Sequence, residues 1–149
     1  MLANKEVISE SVRTSHEASA VWEVMKNPAS IELWHPGIVS AKLENGVREV
    51  SLESGAVIVE RITAADDRQR TYSYAYVSGP LEMSGFTSQI IVSPSGSGQS
   101  EVSWSASFDK GDSSAETAGM VAALYRAGLT GLQEYLDTVL GTVRSGEAR

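Results

Sequence analysis

Between residues 38 and 109 one pattern repeats six times: a short run alternating apolar and polar residues, then a turn. The runs are IVSAKLE, VREVSLE, AVIVERIT, RTYSYAYV, FTSQIIV and EVSWSASFD. Alternation with period two sends every second side chain to the same face and reads as a half-buried strand. The breaks are Asn45-Gly46, Ser54-Gly55, Asp66-Asp67, Ser78-Gly79-Pro80 and Ser95-Gly96-Ser97-Gly98. These residue types tolerate positive φ or cannot donate to a ladder, so each break is a turn. Connections this short force successive strands to pair antiparallel. The apolar face of such a sheet then needs a cover, and that requirement constrains the rest of the chain.

The flanks supply it. EVISESVRT (6–14) alternates in the same way and adds a seventh strand. Thr14 and Glu17 have the spacing of a capping box, and Val21, Trp22 and Met25 form the apolar face of the helix that would follow. Asn27-Pro28 ends that helix, and PASIELW forms a short second one that stops before Pro36. After the strands, Ser113 and Glu116 repeat the capping spacing. Leu124, Gly128, Leu132 and Leu136 recur every four residues, with Val121, Leu129, Val139 and Leu140 beside them. This predicts one long helix, followed by a frayed tail at about 144–149. The expected fold is α+β. A curved, seven-stranded antiparallel sheet grips a long C-terminal helix, with two short helices between the first and second strands. No linker or repeat divides residues 1–149, so a single domain is expected.

The net charge of −7 with scattered basic residues disfavours nucleic acid and anionic membrane surfaces as partners. With no cysteine, disulfides, a thiol nucleophile and zinc–thiolate sites are excluded. No apolar run is long enough for membrane insertion, and MLANKEVISE lacks a signal-peptide layout, so a cytoplasmic location is expected. SGSGQS leads into a strand rather than a helix, which removes a nucleotide-loop reading; no cofactor and no metal are expected.

Several residues carry chemistry. Alternation in AVIVERIT groups Ala56, Ile58, Glu60 and Ile62 on one face. If that face is inward, the Glu60 carboxylate needs a partner, water or a raised pKa; otherwise the faces swap, or Arg61 pairs with it at the rim. RTYSYAYV aligns Tyr72, Tyr74 and Tyr76, as plain core, as a solvent-edge ladder or as a polar-tipped cavity wall. The long helix is rich in small residues: Ala118, Gly119, Ala122, Ala123, Ala127, Gly128 and Gly131. They either leave space beneath the helix or let it pack closely. His35, between Trp34 and Pro36, sits at a pocket mouth or caps helix carbonyls. His16 is given no role.

The layout and the motifs VW, WHPGI, an ER strand ending in DD, SGPL and VSWSASFD resemble the START-like superfamily of polyketide cyclases/dehydrases and lipid-transport proteins. That superfamily includes pollen-allergen-type proteins and plant abscisic-acid receptors. The resemblance implies an internal cavity between sheet and long helix, lined by Glu60. It places Tyr74, Tyr76 and Phe86 at pocket positions, and His35, or Trp34 with a shift of one residue, at the site of a pocket lysine. It also implies that the Ser54-Gly55 and Ser78-Gly79-Pro80 loops, with Leu81, flank an entrance. The receptors' gate proline and latch His-Arg pair are absent, so hormone sensing is not implied. A small hydrophobic ligand would meet Ile58, Ile62, Phe86, Ile90, Leu124 and Gly128, with Glu60, His35 and Tyr74 as polar anchors. The same three residues are the candidates for acid–base catalysis in a cyclase or dehydratase. A chaperone-associated interaction module is the third reading, and site chemistry rather than fold decides among them.

Overall fold

The computed structural model describes residues 4–112 and 114–141. It begins with β1 (Lys5–Thr14), α1 (Ala18–Met25) and a 3-10 turn (Pro28–Ser30) that runs into α2 (Ile31–Trp34). The strands β2 (Ile38–Glu44), β3 (Val47–Leu52), β4 (Val57–Asp66), β5 (Thr71–Ser78), β6 (Thr87–Gly96) and β7 (Gln99–Asp109) follow, and α3 (Ser114–Leu140) closes the fold. All seven strands form one antiparallel sheet in the order β1-β7-β6-β5-β4-β3-β2. This is the α+β helix-grip architecture that the alternating runs and the closing helix predict. The expected Ser113 cap and the tail at 144–149 lie outside the described residues. No helix among the described residues is long and apolar enough to cross a membrane.

The inner face follows the alternation. In β7 it carries Val102, Trp104, Ala106 and Phe108, in β6 Ile90 and Val92, and in β5 Tyr72 and Tyr74, all buried. Each large side chain removed from water there contributes about 1.5–3 kcal/mol. Two local expectations fail. Glu17 precedes α1 without any side-chain cap, because the Thr14 hydroxyl is taken by Ser100 Oγ (3.0 Å) and by the His16 N–H (3.2 Å). Glu17 instead accepts the Gly98 N–H in the β6–β7 turn. Val139 and Leu140, in the last turn of α3, are exposed at 45% and 38%.

The buried face of α3 is Thr117, Val121, Tyr125, Gly128, Leu129, Leu132 and Leu136. The helix packs chiefly along β1, with further contacts to β7, α1 and α2, and does not lie across β3 and β4. That offset leaves the β3–β4 half of the concave face uncovered by helix. The two readings of the small residues are both realised, at different positions. A Cβ on Gly128 would fall 2.5 Å from His35 Cδ2 and 2.9 Å from Trp104 Cζ3, and one on Gly131 would strike the Trp34 carbonyl and Pro36. These glycines let the 34–36 bend press against the helix. Ala123 and Ala127, by contrast, face open space beside β3 and β4.

Candidate functional site

The uncovered half of the sheet holds a cavity in two compartments. The outer one, about 560 Å³, lies between α3 and the β3–β4 and β5–β6 loops. Leu52, Ser54, Ala56 and Ile58 form its sheet side, Pro80 and Leu81 its far rim, and Met120, Ala123, Leu124 and Ala127 its helix side. Both loops expected at an entrance therefore stand at this mouth. Tyr76 holds the second of them: its hydroxyl donates to the Leu81 carbonyl (2.9 Å) and accepts the Leu81 N–H (3.1 Å). The inner compartment, about 60 Å³, shares His35, Leu52, Ile58 and Leu124 with the outer one and ends on Arg48, Glu60, Tyr74, Trp104 and Tyr125. It is large enough for about two waters.

Glu60 reaches this chamber through strand register. It lies directly opposite Arg48 of β3 and Tyr76 of β5, and β4 and β5 slip by one residue between Val59 and Glu60. A bulge of that kind re-aims a side chain. Arg48 is 1% exposed and Glu60 8%. Arg48 Nε and Nη2 both lie 2.8 Å from Glu60 Oε1, while Nη1 donates to the Pro28 carbonyl (2.8 Å) and the Tyr72 hydroxyl (3.2 Å). The guanidinium also stands 4.7 Å from the centre of the Tyr74 ring. Burial pushes the Glu60 carboxyl above its usual range, and Arg48 pulls it only part of the way back. Oε2 makes no hydrogen bond among the described residues. The one sealed side-chain polar atom lacking a partner there is Trp34 Nε1, so Oε2 is not sealed and opens on the chamber.

A hydrogen-bond chain lines the opposite wall. Trp104 Nε1 donates to the Tyr74 hydroxyl (3.0 Å), which lies 3.4 Å from the Tyr125 hydroxyl; that in turn is 2.8 Å from Ser88 Oγ. Ser88 donates its single proton to the Ser105 carbonyl (2.9 Å), so Tyr125 must donate to Ser88 and Tyr74 to Tyr125. The chain has one direction. Trp104 and Tyr125 also stack at 4.0 Å. Burial and the neighbouring Glu60 charge push Tyr74 up to about 12, and burial, with Tyr74 beside it, raises Tyr125 well above its ordinary value.

His35 borders both compartments but has no free nitrogen. Nδ1 accepts the Gly37 N–H (3.0 Å), so Nε2 carries the proton and donates to the Leu124 carbonyl (2.8 Å). The ring is a neutral brace between the bend and α3: it stands at the cavity and also bonds a helix carbonyl, with no nitrogen left to act as a base. Burial lowers its pKa, against the backbone hydrogen bonds. A depressed folded pKa adds stability that is present above the ordinary value of about 6.5 and is lost as pH falls through the folded one. Wild type should therefore lose unfolding free energy between about pH 8 and about pH 5 more steeply than His35→Asn, a comparison that urea titrations across that range would give.

The remaining expected residues divide. Ile58, Leu81 and Leu124 line the mouth, and Glu60 and Tyr74 the chamber. Phe86 and Ile90 are core instead: Phe86 packs on Tyr74, Tyr76 and Phe108, and Ile90 is fully buried. Gly128 is covered by His35 and Trp104, Ile62 packs against the core, and Trp34 is buried edge-on against Trp104. Aromatic packing around Phe86 fills the position that the resemblance assigned to the pocket. Arg48, Trp104, Tyr125 and Ser88 were not anticipated. The alternation in VREVSLE and EVSWSASFD puts Arg48 with Val50 and Trp104 with Val102, a usable signal for the first two. No group of three or more His, Cys, Asp or Glu among the described residues is placed to hold a metal ion.

A concave antiparallel sheet, a long helix resting on one side of it and a two-chambered cavity under the other make this a helix-grip protein with an internal pocket. The family described as polyketide cyclase / dehydrase and lipid transport matches residues 5–137, and the chain belongs to it. Membership points to hydrophobic-ligand binding or cyclase chemistry without specifying a ligand. An uncharacterised protein from Bacillus thuringiensis superposes with a TM-score of 0.83 at 29% identity, over 89% of this chain and 100% of that one. The protein XoxI from Bacillus cereus gives 0.83 at 28%, over 89% and 96%. The ZhuI aromatase/cyclase from Streptomyces sp. R1128 shares the fold, with a TM-score of 0.72 at 14% identity over 97% and 99%. No curated protein matches by sequence.

Proposed function

We propose that this protein binds a small, mainly apolar molecule in the two-chambered cavity. The observation that carries this reading is the adjacency of the compartments: an apolar mouth of about 560 Å³ shares His35, Leu52, Ile58 and Leu124 with a smaller chamber that ends on Glu60. Burying about 200 Å² of apolar ligand surface would contribute about 5 kcal/mol before ordering costs. Cyclase or dehydratase chemistry on the same site is the weaker reading. Both His35 nitrogens and the Tyr74 and Tyr125 protons are engaged within the protein, which leaves Glu60 Oε2 as the acid–base atom open to a ligand among the described chamber residues.

The test is a titration with the apolar fluorophore 1-N-phenylnaphthylamine. Wild type should show a saturable rise in emission. Ala123→Trp, which places an indole at the mouth from an exposed helix position, should weaken it about tenfold or more while leaving the urea midpoint unchanged. A wild-type protein that shows no saturable binding would overturn the reading.

A further inference from the structure

The polar end of the chamber has a hydrogen-bonding sense, and it follows from where each donor points. Every Arg48 nitrogen is held by a protein acceptor: Nε and Nη2 by Glu60 Oε1, and Nη1 by Pro28 and Tyr72. At most one of its N–H groups is left over, and Glu60 neutralises its charge. His35 gives its proton to Leu124. The Trp104, Tyr74, Tyr125 and Ser88 protons pass one to the next and end on the Ser105 carbonyl. Apart from that one Arg48 N–H, every donor at the floor is engaged. What it presents to an incoming group is an acceptor, Glu60 Oε2, which has no protein partner among the described residues and is not sealed.

We propose that this floor selects ligands that lead with a hydrogen-bond donor, an alcohol or a phenol, and rejects carboxylates; the proposal rests on the pocket reading above. A hydroxyl entering the chamber donates to Oε2 and replaces the water that Oε2 would otherwise hold. An ether oxygen cannot donate, and it leaves a dry carboxylate oxygen unpaired. A carboxylate would set two negative charges together in a site walled by aromatic rings, where they are poorly screened. A buried arginine would by itself suggest an anion site. Its closed pairing with Glu60 reverses that expectation.

Three ligands of one shape test this: 2-naphthol, 2-methoxynaphthalene and 2-naphthoate, each displacing 1-N-phenylnaphthylamine from the wild-type protein. The expected order is naphthol tightest, the methoxy compound about tenfold weaker, and naphthoate about a hundredfold weaker. Equal displacement by all three overturns the donor selection while leaving the pocket reading intact. Naphthoate binding tightest overturns it as well. Failure of the probe itself to bind removes both. The double variant Arg48→Met/Glu60→Leu, which leaves no unpaired charge, should bind the probe and lose the preference for naphthol over its methyl ether. A preference that survives in this variant would show that Glu60 is not its source. The wild-type series decides the question even if the variant does not fold.

Discussion

Arg48→Met is expected to lower the free energy of unfolding by about 3–5 kcal/mol, as removal of one partner from a buried ion pair does. The cause is what the substitution leaves behind. Glu60 keeps its carboxylate in a site where burial already raises its pKa, now without the counter-charge beside Oε1. The Pro28 carbonyl and the Tyr72 hydroxyl lose their donor in the same step. Adding Glu60→Leu removes the stranded charge, and the double variant should recover all but about 1–3 kcal/mol, the residue set by the unpaired Pro28 carbonyl. Urea unfolding of the two single variants and the double variant gives the coupling directly. If the three losses simply add, the pair is not the interaction described here.

The second large effect comes from a single methyl group. Alanine usually stabilises a helix interior over glycine by about 1 kcal/mol. Gly119 follows that rule: a Cβ there meets nothing within 4 Å, and Gly119→Ala should raise stability by about that amount. Gly128→Ala should do the opposite. Its Cβ would overlap His35 and Trp104, and neither can yield freely. His35 is fixed by two backbone hydrogen bonds, and Trp104 by its stack on Tyr125 and its bond to Tyr74. Overpacking of this kind costs about 1–3 kcal/mol after relaxation. Differential scanning calorimetry on the pair should show melting temperatures shifted in opposite directions, and a shift in the same direction would mean that the bend at 34–36 does not press on α3.

The strands were legible because period-two alternation reports the face of a sheet directly, and all seven appear where that pattern places them. The long helix was legible for the same reason at period four. The site was only half legible. Glu60 on the face of Ile58 and Ile62 signalled an inward carboxylate in need of a partner, water or a raised pKa, with Arg61 at the rim as the alternative; the partner is Arg48, across the strand pair. Sequence separation conceals that contact, and only the register of β3 on β4 reveals it. His35 was placed at the cavity, yet its two hydrogen bonds depend on a carbonyl of α3 and an amide of the bend. No local pattern encodes those. Tyr125 lay four residues from Val121 on the buried helix face, but its hydroxyl acquires meaning only beside Ser88 and Tyr74.

The strand order has a consequence for how this chain reaches its shape. From β2 to β7 every pairing joins neighbours in sequence, so each hairpin can form from local chain alone. β1 is different. It pairs with β7, matching Lys5 to Asp109, and α3 packs chiefly on β1. Closing a span of that length carries a loop entropy that grows only slowly with length, but it must be met before any contact across it is rewarded. The N-terminal strand therefore waits. During synthesis it emerges ahead of β2 to β7 and cannot pair until the chain has been made as far as Asp109. The inner face of β1 gains its strand partner and its helix cover only from residues beyond 99, so the β1–β7 pairing and the seating of α3 are coupled.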